Sequence, residues 1–191
     1  MFLIYIDLRE YRKLLFIIVI VMTVGVALTN TNWLLKILYP IHYWDLIEKY
    51  AKEYELDPYL VAAIIRTESK FDEKAKSNKN ARGLMQISEV TGQWASEELR
   101  IDDYHEEILY IPDINIKIGC WYLYKLKEEF NGNLQLILAA YNGGSGNVNK
   151  WLKDPKYSDE GEFLRDIPFP ETKAYVKKVM KSYKVYRIIY R

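Results

Sequence analysis

Cysteine and histidine are nearly absent from this sequence of 191 residues. Cys120 is the single cysteine, so no internal disulfide can form and stability must come from packing. It lies in an apolar helical pattern, which favours a small buried hydrophobe over a nucleophile. His42 and His105 are the only histidines, and they offer neither a zinc cluster nor a recognisable catalytic triad. We therefore expect no metal and no other cofactor.

An excess of charge and the pattern of β-strands are also missing. The formal net charge is +1, which gives no whole-chain argument for binding nucleic acid. Neither of the glycine-rich motifs that cradle phosphates occurs, so a nucleotide cofactor has no support. Alternating apolar and polar residues are rare, whereas 50% of the chain is hydrophobic. The sequence predicts a mostly α fold with a single domain and an N-terminal appendage.

The appendage is a stretch without charge at residues 14–35. Its most apolar part, residues 14–28, is shorter than a typical membrane span of about 20 residues. With the remaining residues as an interfacial end, and Trp33 as a possible anchor, it suffices to cross a bilayer. The sequence thus predicts a cytoplasmic tip and transmembrane helix over residues 1–35 and one exported domain over residues 36–191.

The orientation follows from three basic residues, Arg9, Arg12 and Lys13, which precede the apolar run and favour a cytoplasmic N-terminus. A cleaved signal peptide is the alternative, because Gly25-Val26-Ala27 has the small residues of a cleavage site. The domain is then secreted rather than held at the cell membrane with its bulk on the outer side.

The segment around Glu68 organises the remaining chain. Asp57-Pro58 has the residues of a helix start, with aspartate as N-cap and proline in the first turn. The helical spacing of Val61, Ile64 and Ile65 predicts an apolar face, and Glu68 falls near its middle. A carboxyl on such a face is costly unless it is paired or protonated. Desolvation raises its pKa, as a general acid requires, but a structural glutamate fits the pattern equally well.

Further helices are predicted on both sides of this segment. Asn131-Gly132 and Asn142-Gly143 are typical of helix ends, and residues 97–112 have no clean period, which predicts an irregular connection. The helices are expected over residues 43–56, from Ser88 to about residue 95, over 113–130, 134–141 and 148–152, and from about residue 171 onward.

Four local features are candidates for one cleft. They are Glu68-Ser69, Gly83-Leu84-Met85-Gln86, Ala140-Tyr141-Asn142-Gly143 and the run Glu171-Thr172-Lys173-Ala174-Tyr175-Val176. Each also has an ordinary explanation, since an amide can satisfy a loop, Asn-Gly stops a helix, and a tyrosine on an apolar face belongs to a core.

Together the motifs resemble the catalytic domain of soluble-lytic-transglycosylase-type (SLT) enzymes, which is related to goose-type lysozyme. The resemblance extends from about residue 50 to 186. It rests on DPYLVAAIIRTESKFD, ARGLMQI, NIKIGCWYLYKL, LILAAYNGG and ETKAYVKKV, which occur in family order and at comparable spacing.

The resemblance implies a lysozyme-like helical fold and a role for each motif. Glu68 is implied to be the single catalytic acid and base, and Tyr175 to approach its carboxyl by the hydroxyl. The other implied residues contact or position the glycan; they are Ser69, Met85, Gln86, Tyr141 and Asn142.

The implied reaction cuts peptidoglycan between N-acetylmuramic acid and N-acetylglucosamine and leaves a 1,6-anhydro end. A lysozyme-like hydrolase is the alternative if a second carboxylate reaches the cleft. The sequence offers Asp72, Asp102, Asp103 and Glu106 for that role. A wall-binding module without catalysis is a further alternative.

Overall fold

The structure, a computed structural model, describes residues 8–29, 31–159 and 161–191. Its chain divides into two compact units, Met1–Pro40 and Ile41–Arg191, slightly beyond the boundary expected from the sequence. Within the described ranges there is no strand, and only isolated bridges join Arg82 to Lys76 and to Ile87. The prediction of a mostly α protein is confirmed.

The first unit contains α1, Leu8–Thr29, and α2, Thr31–Leu38. The large apolar side chains from Leu14 to Val26 are about half exposed or more. Over the residues that the structure describes, no helix has both the length and the apolar character that crossing a membrane demands. The transmembrane helix expected from the sequence is therefore not confirmed.

The second unit is built from helices joined by loops, with one short 3-10 helix at Glu106–Tyr110. The helices are α3 Trp44–Glu53, α4 Pro58–Glu68, α5 Glu89–Leu99, α6 Pro112–Glu129, α7 Leu134–Gly143, α8 Ser145–Leu152 and α9 Pro170–Ile189.

The helix starts follow the capping residues of the sequence. The Asp57 carboxylate accepts the N–H of Tyr59 at 2.9 Å, and Pro58 opens α4. The Ser88 hydroxyl accepts the N–H of Thr91 at 3.1 Å and caps α5. That helix continues to Leu99, so the irregular connection predicted from residue 97 begins later than expected.

Helix α4 lies at the centre of the core. Six consecutive side chains, Leu60 to Ile65, are at most 9% exposed, because α3 and α9 both pack against this helix. Burying each large aliphatic side chain contributes about 1.5–3 kcal/mol. The predicted apolar face of Val61, Ile64 and Ile65 is buried, and burial extends to the other side of α4 as well, since Ala62 and Ala63 are also fully buried.

The loop between α4 and α5 is fixed by one buried amide. Asn115 of α6 is fully buried, and its Nδ2 donates to the carbonyl oxygens of Arg82 at 3.0 Å and Leu109 at 2.7 Å. Its Oδ1 accepts the N–H of Met85 at 2.7 Å. These three bonds satisfy loop groups that would otherwise be buried without partners, and they hold the Gly83–Gln86 segment against α6.

An ion pair supports the same loop from its other side. The guanidinium of Arg82, only 2% exposed, lies 2.5 Å from the Glu106 carboxylate and also donates to the carbonyl oxygen of Asn80 at 3.0 Å. Removing Glu106, which is partly exposed, would leave the buried Arg82 charge uncompensated. The charge of Glu106 is thus used to position the loop.

Substituting Gly83 by alanine is expected to destabilise the protein more than the same change at Gly132. Both glycines have a left-handed φ, +72° and +75°, so both substitutions carry the backbone cost of about 1–2 kcal/mol. A Cβ at Gly83 would lie 2.2 Å from the Leu109 carbonyl oxygen, whereas at Gly132 nothing lies within 4 Å.

The difference is expected to be about 1–3 kcal/mol in the free energy of unfolding, measured by urea denaturation. Equal losses for Gly83→Ala and Gly132→Ala would contradict the close packing of this loop.

Candidate active site

A cleft of about 640 Å³ opens between the loop after α4, the start of α5, the end of α7 and the start of α9. Glu68 is part of its wall. The other lining residues are Ser77, Asn78, Lys79, Ala81, Gln86, Ile87, Ser88, Thr91, Tyr122, Tyr141, Asn142, Gly143, Gly144 and Glu171. Residues from all four candidate motifs therefore meet at one cavity.

Glu68 is the last residue of α4, where the helix emerges from the core. Burial raises the pKa of its carboxyl from 4.5 to about 7; the Tyr175 hydroxyl opposes this shift, and the negative charge of Glu171 adds to it. A carboxyl of this pKa is protonated in part of the population at neutral pH. It can both give and take a proton there.

Tyr175, on α9, brings a buried hydroxyl to the neighbourhood of Glu68. Among the described residues this hydroxyl has no hydrogen-bond partner of normal distance and angle, yet it is close enough to act on the Glu68 pKa. The Tyr175 hydroxyl is therefore a near neighbour of the Glu68 carboxyl and is not hydrogen-bonded to it. Burial raises the pKa of Tyr175 well above its usual value, so the hydroxyl keeps its proton and remains a donor.

Tyr141, near the end of α7, lines the cleft and is held by its hydroxyl. That group donates to the carbonyl oxygen of Met85 at 2.8 Å, which connects α7 to the loop after α4. Its ring centroid lies 5.5 Å from that of Tyr122, another lining residue. The two rings form an aromatic side of the cleft, on which the apolar face of a sugar can rest.

Gln86 reaches the cleft through an unusual backbone conformation. Its φ is +49°, a value that costs a non-glycine residue free energy and persists only where surrounding contacts hold it. Its Nε2 donates to the carbonyl oxygens of Ala75 at 3.1 Å and Gly83 at 3.0 Å. With the nitrogen occupied, Oε1 is the atom of this amide that can accept a bond from a ligand hydroxyl or amide.

Asn142 is oriented by a residue that the sequence interpretation did not single out. The hydroxyl of Thr172, 2% exposed, donates to Oδ1 of Asn142 at 2.8 Å. The bond directs the donor Nδ2 of Asn142 away from Thr172 and makes it available to a ligand. Thr172 lies inside the ETKAYV motif, which is the feature of the sequence that could have pointed to it. Only the fold, however, brings α9 and Thr172 next to Asn142 at the end of α7.

Ser69 and Met85 do not line the cleft. The Ser69 hydroxyl donates to the carbonyl oxygen of Leu84 at 2.8 Å and so joins the end of α4 to the loop. The Met85 side chain is fully buried, and its sulfur packs against Gly119. Both residues support the wall from behind instead of facing the cavity.

The four carboxylates considered as second groups are also outside the cleft lining. Glu106 pairs with Arg82, and the Asp72 carboxylate accepts the N–H of Lys74 at 2.9 Å. The carboxylate that does line the cavity with Glu68 is Glu171. Its Oε2 lies 3.8 Å from Nζ of Lys79, and both of these side chains are exposed. Nothing in the sequence pattern singles out Glu171, because only the fold brings the start of α9 to the cleft.

These features define a helical, lysozyme-like domain with one half-buried acid in its cleft. The Transglycosylase SLT domain family matches residues 45–164, which is more than half of the chain. The chain belongs to this family. The match includes Glu68, Gln86, Tyr141 and Asn142 and ends before α9.

Individual relatives cover much of this chain but only part of their own. The soluble lytic murein transglycosylase of Salmonella typhimurium is 36% identical over 151 residues, which are 78% of this chain and 23% of the relative. The membrane-bound lytic murein transglycosylase C of Edwardsiella ictaluri is 28% identical, over 77% of this chain and 47% of the relative. The chain thus spans about a quarter of the length of its soluble relatives.

Solved structures agree with the fold. The 70 kDa soluble lytic transglycosylase of Escherichia coli is 33% identical over 86% of this chain and 27% of its own, with a TM-score of 0.72. An inactive mutant of lytic transglycosylase Slt from Pseudomonas aeruginosa, in which a glutamine replaces a glutamate, is 33% identical. The match covers 81% of this chain and 25% of the Pseudomonas aeruginosa chain, with a TM-score of 0.70. The prediction of this family is confirmed.

The raised pKa of Glu68 predicts a stability that falls as pH rises. The folded-state pKa of about 7 lies above the reference value of 4.5, so the folded protein holds a proton that the unfolded chain has lost in this interval. We expect the contribution of this group to the free energy of unfolding to fall by up to about 3 kcal/mol between pH 4.5 and pH 7. Urea denaturation over this range measures it.

Glu68→Gln cannot ionise and should remove this part of the pH dependence. Asp72→Asn, four residues further on and outside the cleft, should leave it in place. If Glu68→Gln and the parent lose the same stability over this interval, the Glu68 carboxyl does not carry a raised pKa.

Proposed function

We propose that this chain is a peptidoglycan lytic transglycosylase with Glu68 as its single catalytic acid and base. The bond cleaved is the β-1,4 linkage between N-acetylmuramic acid and N-acetylglucosamine, and the product carries a 1,6-anhydromuramic end. The observation that carries the proposal is the Glu68 carboxyl itself, which burial keeps partly protonated at neutral pH in a cleft lined by tyrosine and amide groups. The names of the relatives, soluble and membrane-bound lytic murein transglycosylases, support it.

In the first step Glu68 donates its proton to the glycosidic oxygen. The bond between this oxygen and C1 of the muramic ring breaks, its electron pair stays with the departing sugar, and C1 acquires oxocarbenium character. The muramic N-acetyl group stabilises this cation. Glu68 is left as a carboxylate in a partly desolvated site, where the adjacent Tyr175 hydroxyl is a donor that can stabilise the new charge.

In the second step Glu68 takes a proton from the C6 hydroxyl of the same ring. The oxygen of that hydroxyl attacks C1, which closes the 1,6-anhydro ring and returns Glu68 to its acid form. No water is consumed. The attack is favoured because the nucleophile is already part of the reacting sugar.

The remaining motif residues hold the glycan. We assign direct contact to Gln86 through Oε1, to Asn142 through Nδ2 and to the ring of Tyr141. Ser69 and Met85 act as positioning residues, because their contacts are with the backbone and core behind the cleft wall.

A lysozyme-like hydrolase is the competing function, and it requires a second carboxylate at the cleft. Glu171 is the candidate, since it lines the cavity and acts on the Glu68 pKa. Its exposed position at the rim and its proximity to Lys79 argue for an electrostatic influence rather than a role as base. A wall-binding module without catalysis does not require a protonated buried carboxyl at all.

Three variants test the proposed reaction on purified glycan strands. Glu68→Gln is expected to lower the rate by about 10²–10⁴-fold because the proton donor is lost; the inactive glutamate-to-glutamine mutant of the Pseudomonas aeruginosa protein is a parallel. Glu171→Gln should stay active, and Asp72→Asn is the control. Mass spectrometry of the products should detect 1,6-anhydromuramic ends.

The pH profile adds a second readout to the same variants. Activity needs protonated Glu68, so the parent should lose rate as pH rises through about 7. Removing the charge of Glu171 lowers the Glu68 pKa. In Glu171→Gln the loss of rate with rising pH should therefore begin at a lower pH than in the parent. Reducing muramic ends with no anhydro product, combined with an inactive Glu171→Gln, would establish the hydrolase instead. Strand binding without any cleavage would establish the wall-binding module.

We further propose that residues 14–35 attach the enzyme to the cell membrane as a single span, with the domain on the outer, cell-wall side. The support is the uncharged run and the basic residues that precede it. The full chain is then expected in the membrane fraction and resistant to extraction with high salt. Recovery of a protein free of membrane, beginning after Ala27, would favour the cleaved signal peptide and a secreted enzyme.

A further inference from the structure

Trp94 is a large aromatic side chain at the surface beside the cleft. It lies on α5 and is 43% exposed, whereas Trp121 behind it is 4% exposed. Thr91, one helical turn earlier on the same side of α5, lines the cleft. The surface of the cleft therefore continues along α5 toward Trp94.

The indole of Trp94 is held in place by other rings. Its centroid lies 4.7 Å from that of Trp121, with the ring planes at 72°, and 6.4 Å from that of Tyr122, at 79°. Edge-to-face packing of this kind stabilises a ring beyond the area that it buries. The supported ring loses little freedom when a ligand binds its exposed part, which favours affinity.

These contacts connect Trp94 to the catalytic carboxyl. Tyr122 lines the cleft, and its ring lies 5.5 Å from Tyr141, which is close enough to Glu68 for the carboxyl to raise the tyrosine's pKa further. Three rings, Tyr141, Tyr122 and Trp94, thus form a row that leads from the acid toward the outer surface.

We propose that Trp94 forms an outer carbohydrate subsite, which stacks against a pyranose ring of the glycan strand away from the bond that is cut. This inference rests on the proposed function and names a binding residue that the motifs do not contain. A pyranose ring has one face of C–H groups, and an exposed indole offers the matching apolar surface at low entropic cost. A long strand then gains a contact that a short fragment does not reach.

Phe163 provides the matched control. It is also an exposed aromatic residue, 62% exposed, but it is absent from the cleft lining and from the row of rings. An effect confined to Trp94 separates a defined subsite from general loss of surface hydrophobicity.

The binding test uses the full chain with Glu68→Gln, so that glycan is bound but not cut. Affinity for long purified glycan strands is measured for Trp94→Ala, Trp94→Tyr and Phe163→Ala in this background. Trp94→Ala is expected to weaken binding about tenfold. Trp94→Tyr should recover most of the affinity because an aromatic face remains, and Phe163→Ala should bind as the parent does.

The kinetic test uses the active protein. With Trp94→Ala the KM for long strands should rise about tenfold while kcat is kept. For the shortest fragment that is still cut, both constants should match the parent. Unfolding curves of the same variants, with Trp94→Tyr as the conservative replacement, separate a lost contact with sugar from a disturbed α5.

The results distinguish the subsite from the function on which it rests. Long-strand binding that is equal for Trp94→Ala and the parent, while the parent still cleaves glycan, overturns the subsite alone. An equal loss for Trp94→Tyr and Trp94→Ala, or an equal loss on short and long substrates, also overturns it. A parent chain that neither binds nor cleaves glycan overturns the proposed function and the subsite together.

Discussion

The partial removal of the Glu68 carboxyl from water is the constraint on which the site depends. A carboxyl at a helix end is ordinarily ionised at neutral pH, and only burial raises its pKa to about 7. Glu68 ends a helix whose residues Leu60 to Ile65 are buried, with α3 and α9 packed against it, and Tyr175 of α9 is close to the carboxyl. The same packing that stabilises the core therefore also provides a proton for chemistry, and it does so at a cost in stability when the carboxyl ionises.

A dry acid is useful only if the substrate is held at a fixed distance from it. Part of the cleft wall is the loop between α4 and α5, and loops are ordinarily mobile. Here the buried Asn115 amide and the Arg82–Glu106 pair satisfy and fix the backbone that carries Gln86. The left-handed conformation of Gln86 persists because these contacts determine the backbone around it.

Helix α9 completes the site from the far end of the sequence. It supplies the Tyr175 hydroxyl beside Glu68, the Thr172 hydroxyl that orients Asn142, and the Glu171 charge at the rim. Its position is fixed at the opposite end as well, where the Tyr183 hydroxyl donates to Asp57 at 2.7 Å. The cleft therefore depends on residues beyond the segment that matches the family.

The sequence by itself determined where α4 and α5 begin and which motifs carry polar groups, whereas α8 begins at Ser145, three residues before the predicted start. Asp57-Pro58 and Ser88 cap their helices as expected, because capping is a local interaction between neighbours in the chain. Only the tertiary structure decided that Met85 faces the core, that Ser69 bonds a backbone carbonyl, and that α4 is buried all round. Helical periodicity places residues on faces, but which faces are covered depends on helices that are distant in sequence.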